Sequence, residues 1–150
     1  MLDLSTKRRP SQPIASHKLS SQDLVDVMSL LDPFGVWRLD LASWTLMLSA
    51  DVFRIHGLEV RDGPIQMKEA IGLYHPDDRD YLLQLIADIV EKKGGFRYVL
   101  RISDRQSRYK LVKCTGMLRK GPQGSDEIFG TFCELPPLNR SIGTAFFEGS

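Results

Sequence analysis

In the second half of the chain, hydrophobic residues occupy every second position, and most of the residues between them are polar. This alternation is typical of a β-strand that buries one face. The first such segment has Phe96, Tyr98, Leu100 and Ile102 at its apolar positions. Two further strand-like segments cover residues 109–119 and 128–135. Polar turn-forming residues at 104–108 and 121–125 separate the three segments. Because the turns between them are short, we expect an antiparallel meander.

The segment before these strands has apolar residues at helical spacing. The apolar face of this helix consists of Leu82, Leu85, Ile86 and Ile89. Pro76 suits the first helical position, and Asp77 and Asp78 place negative charge at the positive end of the helix dipole. Two glycines at 94–95 end the helix. We therefore expect one long amphipathic helix that packs against the sheet.

The first half of the chain predicts shorter elements. Residues 36–41 and 45–49 are typical of two strands joined by a turn, and residues 51–56 of a short helix. Residues 65–73 have only a weak helical spacing. The whole order predicts an α+β fold with one five-stranded antiparallel sheet and its helices on one face. Gly130, inside the last strand, indicates a bulge or a close backbone approach.

One more amphipathic helix is predicted before the sheet. Ser20 is a candidate N-cap, Asp23 three residues later completes a capping box, and Pro33 ends the helix. Its apolar stripe consists of Leu24, Val27, Met28 and Leu31. A helix of about 12 residues is marginal alone in water, so it must pack on something. The sequence leaves two alternatives open: its own domain, or a second copy or partner protein.

These elements divide the chain into four segments. We expect a flexible basic tail at 1–19, a flanking helix at 20–32, the sheet domain at 33–135 and a C-terminal tail at 136–150. The basic triplet Lys7-Arg8-Arg9 is either a solvated charge cluster or a contact for phosphate or acidic lipid.

Composition and charge exclude several classes of protein. With 150 residues, 42% of them hydrophobic and 26% charged, the chain has the size and composition of one globular domain. Its 20 basic and 19 acidic residues leave a net charge of +1, which weighs against a nucleic-acid partner. No apolar run reaches the ~20 residues of a membrane span, and no secretory signal follows the N-terminal charges. Only two cysteines indicate a reducing compartment, so we expect a cytoplasmic protein.

The sequence contains no recognisable catalytic or metal-binding pattern. His17, His56 and His75 lack the spacing of helical metal ligands, and we expect His75 to satisfy a helix N-terminus or to pack locally. Neither a Gly-x-Ser-x-Gly elbow nor a phosphate-binding glycine loop is present. Cys114 and Cys133 fall on strands, where they either fill the core or form a redox pair. We therefore expect no enzyme activity.

Six basic residues gather on one predicted hairpin. They are Arg97, Arg101, Arg105, Arg108, Lys110 and Lys113. This streak is either a solvated sheet edge that discourages edge-to-edge pairing, or a docking face for an acidic partner or an anionic nucleotide.

Five segments, in the same order along the chain, resemble the PAS domain family. They are residues 35–40 and 49–58, the His75-Pro-Asp-Asp-Arg79 motif, and residues 96–101 and 130–134. The motif is similar to the start of the family's long helix, and the resemblance extends from about Gly35 to Leu135. Trp44 departs from the family pattern, which has a glycine in the first turn. So do Asp104-Arg105, where Asp-Gly is usual, and Glu134-Leu135-Pro136, where the family often continues into an outgoing helix.

The resemblance implies a sensor that signals through protein association. Because prolines follow the last strand and about 15 residues remain, we expect a single-domain member without its own output domain. The implied partners are a second copy, a signalling protein such as a histidine kinase, or both. The interface candidates are Leu24, Val27, Met28 and Leu31.

The resemblance also implies a pocket between the sheet and the helices. Its candidate lining residues are Phe53, Met67, Ile71, Leu85, Ile89 and Tyr98. Haem is not expected because residues 79–94 contain no histidine, and a flavin photoadduct is not expected because no cysteine precedes Cys114. No cofactor is therefore expected. The alternative function is a sensor in which an unidentified small molecule fills the pocket and regulates association.

Overall fold

A computed structural model describes residues 6–136 and 143–149 and shows an α+β fold built on one antiparallel sheet. The strands are β1 (Phe34–Asp40), β2 (Thr45–Leu48), β3 (Ile65–Gln66), β4 (Gly95–Ser103), β5 (Tyr109–Lys120) and β6 (Asp126–Glu134). The helices are α1 (Ser21–Met28), α2 (Ala50–Ile55), α3 (Met67–Ile71) and α4 (Pro76–Lys92), and a 3-10 turn covers Ala15–His17. The predicted fold class is confirmed. Of the C-terminal tail, residues 137–142 and Ser150 lie outside the described residues, as do residues 1–5 of the basic tail.

The sheet has six strands, and the predicted number of five was wrong by one short strand. Ile65 and Gln66 pair with Leu46 and Thr45 at the edge of the sheet. The weak helical spacing over residues 65–73 concealed this strand, and the helix there is confined to Met67–Ile71. Two residues are too few to display a period, so only the partner strand identifies β3.

The first and last strands lie side by side in the middle of the sheet. The strand order is β3-β2-β1-β6-β5-β4, with β1 and β6 in register at Trp37 and Gly130. Alternation along each strand gives the sheet an inner face, which α2 and α4 contact, and an outer face. On the inner face Leu39, Ile102 and Ile128 are almost fully buried. The core therefore lies between the sheet and the helices.

Gly130 makes the close backbone approach that the sequence predicts. A Cβ atom at this position would lie 1.7 Å from the carbonyl oxygen of Thr115 and 2.7 Å from the Cα atom of Gly116. Both belong to the neighbouring strand β5. The strand pair therefore admits no side chain here.

The charged motif at the start of α4 fixes this helix to the sheet. His75 caps the helix, because its Nδ1 accepts a hydrogen bond from the backbone N–H of Asp77 at 3.1 Å. Asp78 accepts two hydrogen bonds from the Arg101 guanidinium, at 2.7 and 3.1 Å, and one from the backbone N–H of Arg101. Arg79 donates to the carbonyls of Tyr74 and Gly72. The motif thus serves to hold the fold together.

Removing the charge of Asp78 should lower the stability of the folded protein at neutral pH. The hydrogen bonds from Arg101 hold the pKa of this half-buried carboxyl below its ordinary value. A lowered folded-state pKa contributes stability that is complete above the unfolded pKa of about 3.9 and is lost as the pH falls through the folded value. We expect Asp78→Asn to lose about 1–3 kcal/mol at pH 7. Urea unfolding measures this loss, and the gap from wild type should close below pH 4.

The control for this prediction is Asp80→Asn, an exposed carboxyl in the same helical turn. It should leave stability within about 0.5 kcal/mol of wild type. A deficit in Asp78→Asn that persists unchanged at pH 3 would contradict the assignment to charge.

Candidate functional site

A small, partly open apolar cavity lies between the inner face of the sheet and the helices. Its volume is about 50 Å³. Three helices contribute to its lining, through Val52 of α2, Ala70 of α3 and Ile86 of α4. Ligand pockets for drug-sized molecules measure about 300–1,000 Å³. As it stands, this cavity admits only a molecule of a few heavy atoms.

A line of buried hydrogen-bonding groups forms one side of the cavity. The hydroxyl groups of Tyr74 and Tyr98 form a hydrogen bond with each other, and Cys114 lies directly opposite Tyr98 in the pairing of β4 with β5. Burial raises the pKa of both tyrosines, and it raises the pKa of Cys114 to about 12. All three groups are therefore neutral at pH 7, and Cys114 is a poor nucleophile because it carries no thiolate.

His56 forms another side of the cavity. Its Nδ1 lies 2.8 Å from the carbonyl oxygen of Val52, and its ring stacks on Phe132 with centroids 4.8 Å apart. Burial lowers the pKa of the imidazole, and the charge of Lys110 acts in the same direction. With a neutral His56, the lining of the cavity carries no charge at pH 7.

The buried histidine should make the fold sensitive to mild acid. Because the folded pKa of His56 lies below the unfolded value of about 6.5, its contribution to stability is complete above pH 6.5 and declines as the pH falls. Below pH 6.5, we expect the free energy of unfolding of the wild type to fall by up to about 1.4 kcal/mol per pH unit. His56→Phe keeps an aromatic ring and should flatten the profile, whereas the exposed His17→Gln should not. Identical pH profiles for all three proteins would refute this prediction.

The structure distributes the predicted pocket residues between the lining and the surrounding core. Met67 and Tyr98 line the cavity. Outside its lining are Phe53, Leu85 and Ile89, which are buried in the core, and Ile71, which is half-buried against it. Sequence reasoning missed Trp37, His56 and Tyr74, all of which line the cavity. The alternation of Trp37 with Leu39 along β1 was a usable signal, but His56 and Tyr74 follow short helices and show no period.

The two cysteines lie on opposite faces of the sheet. Cys114 of β5 pairs with Phe132, so it shares the inner face with that ring. Cys133 is the next residue along β6, and alternation therefore directs its side chain outward. The two thiols cannot bridge without breaking the strand pair, and Cys114 fills the core.

The described residues give no sign of a metal site or a membrane span. Within residues 6–136 and 143–149, no three His, Cys, Asp or Glu side chains come together as metal ligands. No helix in these ranges is both long and apolar enough to cross a bilayer.

The basic streak on the β4–β5 hairpin is only partly available to a partner. Arg101 is bound to Asp78, and Lys110 forms an ion pair with Glu134. The remaining members of the streak are Arg97, Arg105, Arg108 and Lys113, of which the first three are exposed and the last is half-buried.

Helix α1 presents its apolar stripe to solvent. Ser20 and Asp23 form the expected capping box, but the helix ends at Met28, earlier than the sequence predicts. No residue of α1 is buried. The exposed fractions of the stripe residues within α1 are Leu24 38%, Val27 61% and Met28 55%. Leu31, which the sequence also places in the stripe, follows the helix and is 51% exposed. The sheet domain of the same chain therefore leaves the apolar stripe of α1 uncovered.

The outer face of the sheet carries a groove of about 510 Å³ along β1, β2 and β6. Val36, Met47 and Phe129 supply apolar side chains to it. Arg38 and Arg119 supply two charges. An apolar groove with fixed cations is a suitable surface for a partner that combines apolar and acidic side chains.

A single buried carboxylate holds both arginines. Glu127 lies 3.3 Å from Nε of Arg38 and 2.8 Å from Nε of Arg119, and only 5% of its side chain is exposed. The Arg119 guanidinium also lies over the ring of Phe129, 3.8 Å from its centroid. The two arginine side chains are 43% and 47% exposed. Their positions are therefore fixed while much of each guanidinium faces solvent.

Comparison with known proteins identifies the fold. No protein-family model matches the chain. Over 102 residues it is 24% identical to the sensor protein FixL of Bradyrhizobium diazoefficiens, which covers 67% of this chain. The chain spans only 20% of the length of that relative.

Two solved structures extend this comparison to three dimensions. One is the N-terminal domain of a Marinobacter aquaeolei diguanylate cyclase with PAS/PAC sensor, with a TM-score of 0.58 at 11% identity over 67% of this chain and 94% of that one. The other is a sensory box histidine kinase/response regulator from Burkholderia thailandensis, with a TM-score of 0.60 at 18% identity over 77% of this chain and 85% of that one. The chain therefore has the PAS fold.

Proposed function

We propose that this chain is a sensory signalling module that acts by associating with other proteins and catalyses no reaction of its own. Its association surface consists of α1 and the outer face of the sheet. The occupant of this surface is a second copy of the chain, a signalling protein such as a histidine kinase, or both.

The observation that carries the proposal is the uncovered stripe of α1. A helix of eight residues is too short to be stable by itself in water, so it gains its stability from burial against another surface. Here the helix contacts β1, yet none of its residues is buried. Contiguous exposed apolar side chains of this kind mark protein interaction sites.

The names of the similar proteins support a signalling role. The curated relative is called a sensor protein, and the two solved structures come from a diguanylate cyclase and a histidine kinase. The names of the two solved structures join a sensor to a signalling enzyme, whereas the name of the curated relative states sensing alone.

Self-association through α1 is tested by sedimentation of the full chain over a range of concentrations. We expect wild type to form a dimer and the double variant Val27→Lys/Met28→Lys to remain a monomer, since both positions are more than half exposed. The matched control is Val60→Lys, which places the same charge on an exposed apolar residue of a loop. If wild type is a monomer throughout, self-association is wrong and the proposal depends on the histidine-kinase partner alone.

The cavity favours a second candidate function, in which a small molecule regulates the association. Its lining is uncharged and includes the hydroxyl groups of Tyr74 and Tyr98. Such a site suits a small neutral molecule that accepts or donates one hydrogen bond.

Thermal shift with a panel of small neutral alcohols and ketones tests this second candidate. A ligand at a hundredfold excess over its Kd stabilises the fold by about 2.7 kcal/mol. Ala70→Leu, which fills the cavity from α3, should abolish the shift, whereas Ala87→Leu on the exposed side of α4 should retain it. A shift of equal size in all three proteins would place the ligand elsewhere.

A further inference from the structure

We propose that residues 144–148 form a strap that closes onto the free edge of β4 in the same chain and adds a strand to the six-stranded sheet. The structure shows the strap in its open position, with residues 143–149 exposed and outside the sheet. A closed strap would occupy the edge against strand addition by another chain. The inference goes beyond the proposed function, because it involves neither α1 nor the groove.

Strand β4 lies at one end of the sheet, and only part of its free edge is covered. The backbone carbonyl of Arg101 accepts from the N–H of His75, and its N–H donates to the carboxylate of Asp78. Because hydrogen-bonding directions alternate along a strand, the backbone groups of Val99 and Arg97 also point away from β5. Within residues 6–136 and 143–149, no group hydrogen-bonds to them on this side. Folded proteins cover or protect such an edge.

The strap has the composition of a strand. Its sequence is Thr-Ala-Phe-Phe-Glu, without glycine or proline, and threonine and phenylalanine favour strands. Phe146 is 47% and Phe147 74% exposed, so neither ring is covered in the open position. Pairing with β4 would cover apolar surface on both sides, since Val99 is 45% exposed.

One antiparallel register matches the side chains of the strap and the edge. It places Phe146 opposite Val99 and Glu148 opposite Arg97. Alternate residues share a face of the sheet, so one apolar pair and one pair of opposite charges form together. Arg97 is exposed and makes no ion pair in the part of the chain that the structure describes. Its guanidinium is therefore available to Glu148, the single charge of the strap.

The end of β6 lies at the right level for this register. The N–H of Leu135 donates to the carbonyl of Leu111, which lies opposite Arg101 in the pairing of β4 with β5. A strand that starts at this level and runs antiparallel to β4 meets Val99 first and Arg97 next. The strap presents its apolar and acidic side chains in the same order.

The chain is also long enough to reach the edge. When extended, the stretch from Leu135 to Phe146 spans about 36 Å. Two strand spacings, about 10 Å, separate β6 from β4. A segment tethered at this distance has a high effective concentration at the edge, which favours the strap of the same chain over that of a second copy.

Disulfide cross-linking tests the register in the full chain. Val99→Cys and Phe146→Cys are combined in a Cys133→Ser background and mildly oxidised. Opposite residues of a hydrogen-bonded pair have Cα atoms about 5.5 Å apart, which suits a disulfide. We expect a monomer with one internal disulfide by non-reducing mass measurement. The matched control, Val60→Cys with Phe146→Cys, uses an exposed loop residue and should not link.

A charge exchange tests the pair of Arg97 and Glu148. Adding Glu148→Lys to the linking chain should slow disulfide formation about threefold to tenfold, because like charges then face each other. Adding Arg97→Glu as well should restore the rate. Glu91→Lys, at an exposed carboxyl of α4, should leave the rate unchanged.

Hydrogen exchange tests closure without any cysteine. We expect the amide protons of Arg97 and Val99 to exchange at least tenfold faster in Phe146→Asp than in the wild type, because a closed strap protects them. Val60→Asp, which places the same charge on the loop, should exchange like the wild type.

The outcomes separate this inference from the proposed function. A disulfide-linked dimer in place of the monomeric product overturns the strap of the same chain and assigns the strand to a second copy. Equal linking in the Val60→Cys control overturns the register. Absence of the link, with exchange unchanged by Phe146→Asp, overturns the strap altogether. None of these results affects association through α1, which Val27→Lys/Met28→Lys tests separately.

Discussion

Gly130→Ala is expected to prevent the chain from folding. The added Cβ would lie 1.7 Å from the carbonyl oxygen of Thr115, far inside the contact distance of the two atoms. The obstruction is backbone of the adjacent strand, so no side-chain rotation relieves it. Overpacking against movable side chains costs about 1–3 kcal/mol, and a rigid backbone clash should exceed about 4 kcal/mol. A loss of this size is comparable to the total stability of a small domain.

Circular dichroism and soluble yield measure this effect. Gly63→Ala is the matched control, because a Cβ there meets nothing within 4 Å. It should fold normally and gain a few tenths of a kcal/mol from the reduced entropy of the unfolded chain. A folded Gly130→Ala with a Tm close to that of wild type would show that β5 and β6 separate more easily than their register implies.

Removing both arginines that hold Glu127 should cost about 3–5 kcal/mol, because it leaves a buried carboxylate without a partner. The singles Arg38→Ala and Arg119→Ala should each cost much less, since one guanidinium still compensates the charge. The sum of the two single losses should therefore fall short of the loss in the double variant. Urea unfolding of the wild type, the two single variants and the double variant supplies the stabilities for this double-mutant cycle.

Two further variants assign the loss to the unpaired charge. Adding Glu127→Gln to the double variant should recover part of the stability, because a neutral amide is less costly to bury than a carboxylate. Arg97→Ala, which removes an exposed arginine from the same face of the sheet, should change stability by less than about 0.5 kcal/mol. If the stability loss of the double variant equals the sum of the two single losses, the arrangement in which both arginines share the Glu127 carboxylate is wrong.

Periodicity in the sequence was sufficient to predict the long elements of the fold. The alternation from Phe96 to Ile102 and the helical spacing from Leu82 to Ile89 each repeat over several residues, and both elements are present. Short elements carry no such repetition. The strand Ile65–Gln66 exists because β2 offers a free edge beside it, which is a property of the tertiary structure.

The end of α1 was predicted too late for a related reason. The stripe extends to Leu31, but the backbone leaves the helix after Met28 to enter β1 at Phe34. Helical spacing shows which residues favour a helix, whereas the place of the next strand decides how many of them form it.

The candidate sites could be predicted only in part, because the sequence does not show which side chains contact each other in the fold. The sequence predicts that His75 either caps α4 or packs locally, but it does not indicate that Asp78 binds Arg101, a residue 23 positions away. It identifies Met67 and Tyr98 as cavity residues, but not His56, which is buried because Phe132 stacks on it. The groove was also missed, because Arg38, Arg119 and Glu127 come together only through the pairing of β6 with β1 and β5.

The central position of β1 has a consequence for biosynthesis. During translation β1 can pair with β2 almost at once, but its other edge waits for β6, which begins at Asp126. At about 5–20 residues per second, the ribosome needs roughly 4–20 s to supply that strand. For this interval the nascent chain exposes an unpaired strand edge, the kind of surface that promotes aggregation and that chaperones bind.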